Sequence, residues 1–245
     1  MRRREDEGIN VKRKIMEETK KYQYDYWRPA VAADNVVYRF DGKNLQVLLV
    51  KRGNDPYKGM WALPGGFLNE DETLKEAALR ELKEETGIVP RYTEELCSCS
   101  GVNRDPRGRV ISVVYYSFVH DVEAHAGDDA AETQWFNIYE LPDMAFDHEK
   151  VMKTAIEQLR TSIKLSPYFF YLLDEEFTLP ELGRLWSSVY NCKIDRRNFQ
   201  KHWVAIGLVT NILELTRLPK SPRAPKYYRF NEEAYLKIRK KHFFK

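Results

Sequence analysis

The fold is decided by residues 66–88, whose sequence is GFLNEDETLKEAALRELKEETGI. Apolar residues recur every three or four positions in this stretch, and this spacing predicts a helix over residues 73–85. At roughly 100° per residue, Glu81 and Glu85 fall on the apolar face of that helix, whereas Glu84 falls on its flank. The stretch therefore predicts two carboxylates, one turn apart, on a face that packs against the rest of the protein.

Two like charges on a packed face repel each other and lose hydration unless a cation or a proton compensates them. A hard divalent cation is the simplest remedy, and Mg²⁺ prefers a few carboxylates together with water and phosphate oxygens. The turn before the helix, PGG at 64–66, allows the backbone to approach a ligand closely and offers carbonyl oxygens as further ligands. On the opposite, solvated face, the spacing predicts ion pairs from Arg80 to Glu76 and to Glu84.

The stretch resembles the Nudix box, G-x5-E-x7-R-E-U-x-E-E-x-G-U, in which U is an aliphatic residue. Each of its nine constrained positions is matched here, by Gly66, Glu72, Arg80, Glu81, Leu82, Glu84, Glu85, Gly87 and Ile88. The alternative is a charged amphipathic surface helix without a site, which is what most helices rich in Glu and Lys are. The complete match favours the Nudix box over that alternative.

The resemblance implies a site for Mg²⁺, or alternatively Mn²⁺, whose ligands are carboxylates and one carbonyl: Glu81, Glu84 as an assisting group, Glu85, and Gly65 or Gly66. It also implies that Arg80 orients the carboxylates and that Glu72 stabilises the loop. The implied reaction is attack of a metal-activated water on one phosphorus of a diphosphate.

Residues outside the box complete the implied site. In the ADP-ribose hydrolases that this box resembles, a carboxylate from a later loop helps to activate water, and Glu132 is the best positional candidate. Asp128 and Asp129 lie near it in the sequence, and the alternative interpretation of these acids is a polar hairpin tip. Guanidinium groups suit bidentate phosphate recognition, so four arginines are candidate substrate contacts: Arg52, Arg104, Arg107 and Arg109. His148 either serves the ligand or packs in the interior.

The composition is that of a globular protein large enough for two domains. The chain has 245 residues, of which 43% are hydrophobic and 13% aromatic, so a substantial core can form. No apolar run approaches the length of a membrane span and no apolar segment follows the basic N-terminus, which predicts a cytoplasmic protein without a membrane partner. Cys97, Cys99 and Cys192 lack the spacing of a zinc site and are expected to be reduced thiols.

The net charge of +3 conceals a strong asymmetry along the chain. Residues 193–245 carry +10 and residues 1–28 carry +3, so the segment between them carries −10. An acidic body joined to a basic C-terminal end suggests a catalytic or sensing domain connected to a part that binds a polyanion.

Hydrophobic patterns and turn residues divide the chain into three parts. Residues 1–28 form a charged extension whose role is not readable from the sequence. Residues 29–165 contain a predicted hairpin with its turn at 41–42, the box helix, three later strands and a helix over 147–163. These elements predict an α/β fold, the Nudix α/β/α sandwich with a mixed sheet. Residues 166–245 change to helices joined by short turns.

The C-terminal part has the pattern of a winged helix-turn-helix domain. Apolar residues between 179 and 189 mark one helix, and Asp195 is a good N-cap for a second. Strands predicted at 208–216 and 227–230 pair around a basic loop as the wing. The second helix and the wing carry the candidate DNA contacts: Arg196, Arg197, Asn198, Lys201, Lys220, Arg223 and Lys226. The alternative is a protein-binding or dimerisation module whose basic helix is merely solvated.

From residue 29 to the end, the chain resembles the Nudix-related transcriptional regulators of the NrtR type, in which an ADP-ribose-pyrophosphatase-like Nudix domain precedes a winged helix. The resemblance is carried by KRG at 51–53, WALPGGF at 61–67, RDPRG at 104–108, FDH at 146–148 and DRRNF at 195–199. It implies a homodimer that binds a double-stranded DNA operator and responds to ADP-ribose or a related nucleotide or phosphorylated sugar. Many members have degraded boxes, whereas this chain keeps every carboxylate.

Three functions compete at this point. They are a ligand-sensing DNA-binding regulator that also hydrolyses its effector, a plain Nudix pyrophosphohydrolase whose C-terminal domain mediates association, and a catalytically silent regulator. The intact box disfavours the silent regulator, and the basic recognition helix disfavours the plain hydrolase. The sequence therefore predicts the first function, without the identity of the effector, the operator or the direction of regulation.

Overall fold

A hairpin with a tight turn begins the sheet. The computed structural model describes three parts of the chain, residues 25–127, 130–212 and 225–243. Strand β1 (Ala30–Phe40) pairs antiparallel with β2 (Leu45–Arg52). Asp41 closes the turn, since its Oδ1 accepts hydrogen bonds from two following backbone amides, and Gly42 has a φ of 86°, which other residues rarely adopt. The predicted hairpin is confirmed.

Five further strands complete the main sheet of the described chain: β3 (Trp61–Ala62), β4 (Gly65–Phe67), β5 (Tyr92–Cys99), β6 (Val110–Phe118) and β7 (Ala130–Asn137). The strand order is β3-β2-β1-β6-β5, with β4 paired to β1 and β7 paired to β2. The pairing of β4 with β1 matters most for the site, because it sets Gly65 opposite the buried Asp34. In the described chain, no helix is long and apolar enough to cross a membrane.

The predicted box helix is α1 (Leu74–Thr86). Thr73 caps its first turn: the Thr73 hydroxyl oxygen accepts from the amide of Glu76, and the Glu76 carboxylate accepts from the amide of Thr73. The predicted ion pair between Glu76 and Arg80 was therefore wrong, because the Glu76 carboxylate is used in this capping box. Gly87 ends the helix with a φ of 73°.

The C-terminal part contains a helix-turn-helix and a small sheet. Its elements follow α2 (His148–Leu165) and are a 3-10 helix (Pro167–Leu172), β8 (Phe177–Thr178), α3 (Leu179–Tyr190), α4 (Arg196–Ala205), β9 (Val209–Asn211), β10 (Tyr227–Phe230) and α5 (Glu232–Phe243). Asp195 caps α4 as predicted, because its carboxylate accepts from the amides of Arg197 and Asn198. Strand β10 pairs antiparallel with β9, which confirms the predicted pairing, and also with β8, which the sequence did not indicate.

One continuous core joins the sheet to the C-terminal helices. The described residues from Val31 onward form one compact unit. The buried face of α2, which includes Met152 and Leu159, belongs to the same cluster of buried side chains as Val47 of β2 and Leu182 of α3. Helix α2 therefore packs against both parts of the protein.

Polar contacts also tie α3 to α2 and to the segment after β7. The hydroxyl of Tyr139 donates to the carbonyl of Val189. Arg160 donates to the same carbonyl at 3.3 Å and to the Tyr139 oxygen at 3.0 Å. In return, the hydroxyl of Tyr190 donates to the carbonyl of Arg160 at 2.6 Å. We call these four residues, Tyr139, Arg160, Val189 and Tyr190, the interdomain latch.

A buried asparagine ties β1 to both α1 and β6. The side chain of Asn35 donates to the carbonyl of Ala78 at 2.9 Å and accepts from the hydroxyl of Ser117 at 2.8 Å. Its backbone amide donates to the carbonyl of Pro64 at 2.8 Å. Asn35 therefore holds the box helix and the start of the glycine turn against the same strand.

Replacement of Asn35 with Ala should lower the free energy of unfolding by about 2–4 kcal/mol, because each buried group that loses its partner costs about 1–3 kcal/mol. Chemical denaturation followed by tryptophan fluorescence measures the change. The control is Asn103→Ala, at an exposed loop position, which should change stability by less than about 0.5 kcal/mol. Equal denaturation midpoints for Asn35→Ala and the wild type would show that the hydrogen bonds of Asn35 do not stabilise the fold.

Candidate active site and nucleic-acid interface

A cavity of about 410 Å³ lies where α1, the glycine turn and strands β1 and β2 meet. Its lining includes three predicted box residues and three predicted arginines: Gly66, Glu81, Glu85, Arg52, Arg104 and Arg107. Small-molecule sites typically have volumes of roughly 300–1,000 Å³. The fold thus brings the inward carboxylates of the box together with guanidinium groups that are distant in the sequence.

Arg80 holds the acidic side chains of the box together. Its guanidinium donates to Glu72 through two bonds, at 2.8 and 2.7 Å. It also donates to Glu81 and to Glu84, both at 2.9 Å. The hydrogen bond from Arg80 lowers the pKa of Glu72 to about 2, and the same bond raises the pKa of Arg80. Arg80 therefore stays charged and fixes the orientation of three carboxylates.

The glycine turn lies against the two carboxylates that were predicted to face inward. The amide of Gly65 donates to Oε2 of Glu85 at 3.0 Å. A Cβ atom at Gly66 would collide with the carboxylate of Glu81 and displace it, so glycine permits this close approach. Burial raises the pKa of Glu81, although its bond to Arg80 opposes the shift. Such a partly desolvated carboxylate is one that a nearby cation would stabilise.

These residues fit a hard divalent cation whose coordination the substrate completes. In the ranges that the structure describes, no group of three or more His, Cys, Asp or Glu side chains could hold a metal ion. The available ligands are the carboxylates of Glu81 and Glu85 and the carbonyls of the turn. Mg²⁺ is usually held by one or two carboxylates together with water and substrate phosphate oxygens, so this set of oxygens is sufficient for it.

Two arginines and two aromatic rings form one wall of the cavity. The guanidinium of Arg107 lies 4.9 Å from the ring centre of Phe67 and 5.5 Å from that of Phe146. Arg52 lies 4.9 Å from the Phe146 ring centre. Burial lowers the pKa of Arg52, and the charge of Arg107 adds to this effect. Arg107 also forms an ion pair with Asp105 at 2.6 Å, and the two guanidinium groups together give this wall a character that favours an anionic ligand.

A buried polar cluster lies beneath the cavity. Arg104 donates to both carboxylate oxygens of Asp147, at 3.2 and 2.8 Å, and lies 3.8 Å from the carboxylate of Asp34. The hydroxyl of Ser112 donates to Asp34 as well. Burial alone would lower the pKa of Arg104, but the bond to Asp147 and the charge of Asp34 raise it. The guanidinium of Arg104 is therefore paired with the carboxylates of Asp147 and Asp34 at the floor of the cavity.

Glu132, the predicted water-activating acid, does not lie among the residues that line the cavity. It stands opposite Lys51 in the pairing of β2 with β7 and forms an ion pair with it at 3.1 Å, where both side chains are partly exposed. The register of β7 thus directs Glu132 to a surface partner, which the sequence alone could not indicate. Asp128 and Asp129 lie outside the described residues.

Two further predicted residues also lie outside the lining. Arg109 donates to the carbonyl of Ser100 at 2.6 Å, and Glu84 keeps 59% of its side chain exposed on the flank of α1. The residues that line the cavity and that sequence analysis did not predict as site residues include Asp34, Phe67 and Phe146. The sequence did contain a signal for Asp34. Burial of an acidic side chain in an otherwise apolar strand costs free energy unless hydrogen bonds or opposite charges compensate it.

The predicted DNA contacts in α4 all lie on its exposed face: Arg196, Arg197, Asn198 and Lys201. The other face carries the buried Trp203, whose ring centre lies 5.6 Å from that of Trp186 in α3. Lys226 is exposed just before β10, whereas Lys220 and Arg223 lie outside the described residues. Helix α4 therefore presents basic and amide side chains to solvent, as a recognition helix does.

Comparisons with known proteins agree with both parts of the chain. The family description of the NUDIX domain matches residues 28–158, and that of the NrtR DNA-binding winged helix domain matches residues 169–230. An ADP-ribose pyrophosphatase from Methanocaldococcus jannaschii is 46% identical over 148 residues, which are 60% of this chain and 85% of that protein. An ADPR responsive transcriptional repressor NtrR from Acinetobacter baylyi is 30% identical over 216 residues, 86% of each chain.

One solved structure matches both the Nudix domain and the winged helix of this chain. The crystal structure of Shewanella oneidensis NrtR complexed with a 27mer DNA has a TM-score of 0.68 and 30% identity, covering 84% of this chain and 95% of that chain. The predicted fold class, a Nudix α/β/α sandwich followed by a winged helix, is confirmed. The chain belongs to the Nudix-related transcriptional regulators of the NrtR type.

Proposed function

We propose that this protein is a cytoplasmic transcriptional regulator that binds a double-stranded DNA operator as a homodimer. Its Nudix site binds ADP-ribose, or a related nucleotide or phosphorylated sugar, and hydrolyses it. The observation that carries the proposal is the presence, in one chain, of a complete carboxylate set beside a cavity and an exposed basic recognition helix. The similarity to an ADP-ribose pyrophosphatase and to an ADPR responsive repressor supports the ligand class.

The cavity offers a partner for each kind of group in ADP-ribose. Arg52 and Arg107 suit the diphosphate, since a guanidinium has five N–H donors and those not used in protein contacts can bind phosphate oxygens. The rings of Phe67 and Phe146, which line the cavity, provide flat apolar surfaces for a base or a sugar face. This combination favours a ligand that joins a diphosphate to a nucleoside.

The proposed cation is Mg²⁺, with Mn²⁺ as the alternative. When bound, such a cation activates water and neutralises the charge that develops on the diphosphate. Glu81 and Glu85 would supply carboxylate oxygens, with the Gly66 carbonyl beside them, and Glu84 would assist from the flank. Arg80 would keep the carboxylates in place during turnover, because its bonds to them do not require the metal.

The second candidate function is a plain pyrophosphohydrolase with a C-terminal association domain. The exposed side chains of α4 argue against it, because Arg197, Asn198 and Lys201 provide both phosphate contacts and groups that read base edges. An association surface would instead be expected to carry large apolar side chains at its centre.

The first test concerns hydrolysis. Replacement of Glu85 with Gln removes the negative charge of one proposed metal ligand, while its amide oxygen can still accept from the Gly65 amide, and should reduce turnover of ADP-ribose by orders of magnitude. The matched control is Glu157→Gln, which changes an exposed glutamate of α2 and should keep wild-type turnover. Release of nucleoside monophosphate with Mg²⁺ is the measurement. No release by the wild type from any diphosphate-linked nucleoside would refute the enzymatic part of the proposal.

The second test concerns DNA. Arg197→Ala and Lys201→Ala should each weaken binding to a palindromic operator, and wild-type affinity should fall steeply with salt as counterions are released. Lys150→Ala removes the same charge from an exposed position of α2 and should have little effect. Titrations with fragments upstream of its own and neighbouring genes provide the measurement. Weak binding that is equal for all sequences and unchanged in both variants would favour the plain hydrolase.

Helix α2 offers a physical route between the two sites. Asp147 at its start belongs to the buried polar cluster at the cavity, His148 lies 3.8 Å from Asp34 of that cluster, and Arg160 belongs to the interdomain latch. Because a helix rises 1.5 Å per residue, these two ends are about 18 Å apart on one rigid element. The latch contacts the end of α3, which precedes the recognition helix. A ligand that shifts the cavity floor would therefore bias the orientation of α4.

The third test measures this coupling in the Glu85→Gln protein, which should bind the effector without consuming it. Saturating ADP-ribose should change operator affinity by about 5- to 150-fold, and the effect must be reciprocal. Tyr139→Phe, which removes the latch hydroxyl, should reduce this factor while the affinity without effector stays similar. Tyr171→Phe, at a partly exposed position, is the matched control. If the operator titration curves with and without ligand are identical for each ligand that binds, the two sites are not coupled.

A further inference from the structure

The proposed reaction assigns no role to His148, a buried titratable residue at the cavity. His148 begins α2 and keeps only 3% of its surface exposed, although it borders the cavity. Its Nδ1 accepts a hydrogen bond from the backbone amide of Leu63 at 3.0 Å. His148 is thus packed in the interior, one of the two alternatives from the sequence, and its Nδ1 is in addition engaged by the backbone just before the glycine turn.

The bond from Leu63 requires a neutral imidazole. Because Nδ1 accepts, the proton must lie on Nε2, which is 3.8 Å from the carboxylate of Asp34. Burial lowers the pKa of His148, although the charge of Asp34 opposes the shift. At neutral pH the ring is thus a fixed acceptor for the Leu63 amide.

The segment that His148 holds is the one that faces the box carboxylates. Leu63 precedes the turn at 64–66, and the amide of Gly65 in this turn binds Glu85 at 3.0 Å. A second bond joins the same two segments, since the amide of Ala145 donates to the carbonyl of Trp61 at 2.7 Å. The start of α2 therefore sets the position of the glycine turn through two separate hydrogen bonds.

Backbone strain marks the same place. Phe146 has a φ of 55°, a left-handed conformation that costs free energy for a bulky residue and persists only where its surroundings hold it. Its ring packs against Tyr57 at 4.9 Å and against the His148 ring at 5.3 Å between centres. The ring of Phe146 therefore packs on both sides of the segment 146–148, against Tyr57 and against His148.

We propose that His148 is a positioning residue of the Nudix site: by accepting the Leu63 amide, it holds the glycine turn where the carbonyls of that turn and the carboxylates of Glu81 and Glu85 can share a divalent cation. The proposal rests on the proposed function, because it requires a cation at these carboxylates. His148 does not touch the substrate and acts only through the turn. Supporting groups of this kind typically change metal affinity or activity by about 10- to 100-fold.

Two substitutions of His148 distinguish the effect of the hydrogen bond from the effect of the side-chain volume. His148→Asn keeps an acceptor near the position of Nδ1, whereas His148→Leu fills a similar volume without one. Met152→Ala, one turn later on the buried face of α2, is the control for a general loss of packing. Each full-length variant is tested by Mn²⁺ titration without substrate, by hydrogen exchange of the Leu63 amide, and by ADP-ribose hydrolysis as a function of Mn²⁺ concentration.

We expect His148→Leu to bind Mn²⁺ about 10- to 100-fold more weakly, to exchange the Leu63 amide faster and to lose activity that added Mn²⁺ partly restores. His148→Asn should recover most of each loss, and Met152→Ala should keep wild-type Mn²⁺ affinity. Wild-type Mn²⁺ affinity in His148→Leu, or an equal loss in Met152→Ala, would overturn the proposal. Absence of hydrolysis in the wild type would refute the proposed reaction, and the Mn²⁺ and exchange data would still decide the role of His148.

Discussion

The site depends on the close approach of two half-buried carboxylates, Glu81 and Glu85, to a turn in which Gly65 and Gly66 have no side chains. Like charges at this separation are costly in a partly desolvated place, and the fold compensates them with the guanidinium of Arg80 and the amide of Gly65. The pairing of β4 with β1 and the buried Asn35 hold the turn in place from the other side. These protein contacts orient the carboxylates, and preorganised groups of this kind favour electrostatic catalysis.

Packing and hydrogen bonds also connect the cavity to the helix-turn-helix formed by α3 and α4. The core runs without interruption from the sheet through α2 to α3. Around it, the interdomain latch and the bond from Arg184 to the carbonyl of Gly42 at 2.7 Å connect α3 to the rest of the protein. Close-packed interiors transmit strain because they have few alternative arrangements. The proposed coupling would therefore run from the floor of the cavity through α2 to α3, and through the short turn at 191–195 to α4.

Much of the fold was predictable because its signals are local. The box helix, the turn at Asp41 and the cap at Asp195 each depend on residues within a few positions of one another. The box also identified Glu81 and Glu85 as residues that face inward, and both line the cavity. What the sequence could not indicate depends on tertiary pairing: the register that turns Glu132 toward Lys51, the addition of β8 to the wing sheet, and the bond between His148 and Leu63, which are 85 positions apart. The capping box at Thr73 is itself a local signal, which the sequence analysis did not use, and it takes the Glu76 carboxylate that had been predicted to pair with Arg80.

The central claim, that one chain senses and consumes the ligand that controls its DNA binding, is tested most directly by following operator occupancy over time after a single addition of ADP-ribose with Mg²⁺. In the wild type, occupancy should change and then return to its starting value as nucleoside monophosphate accumulates, with the same time constant for both signals. In Glu85→Gln the change should persist. A lasting change in the wild type despite complete hydrolysis, or no change while the ligand is intact, would contradict the account.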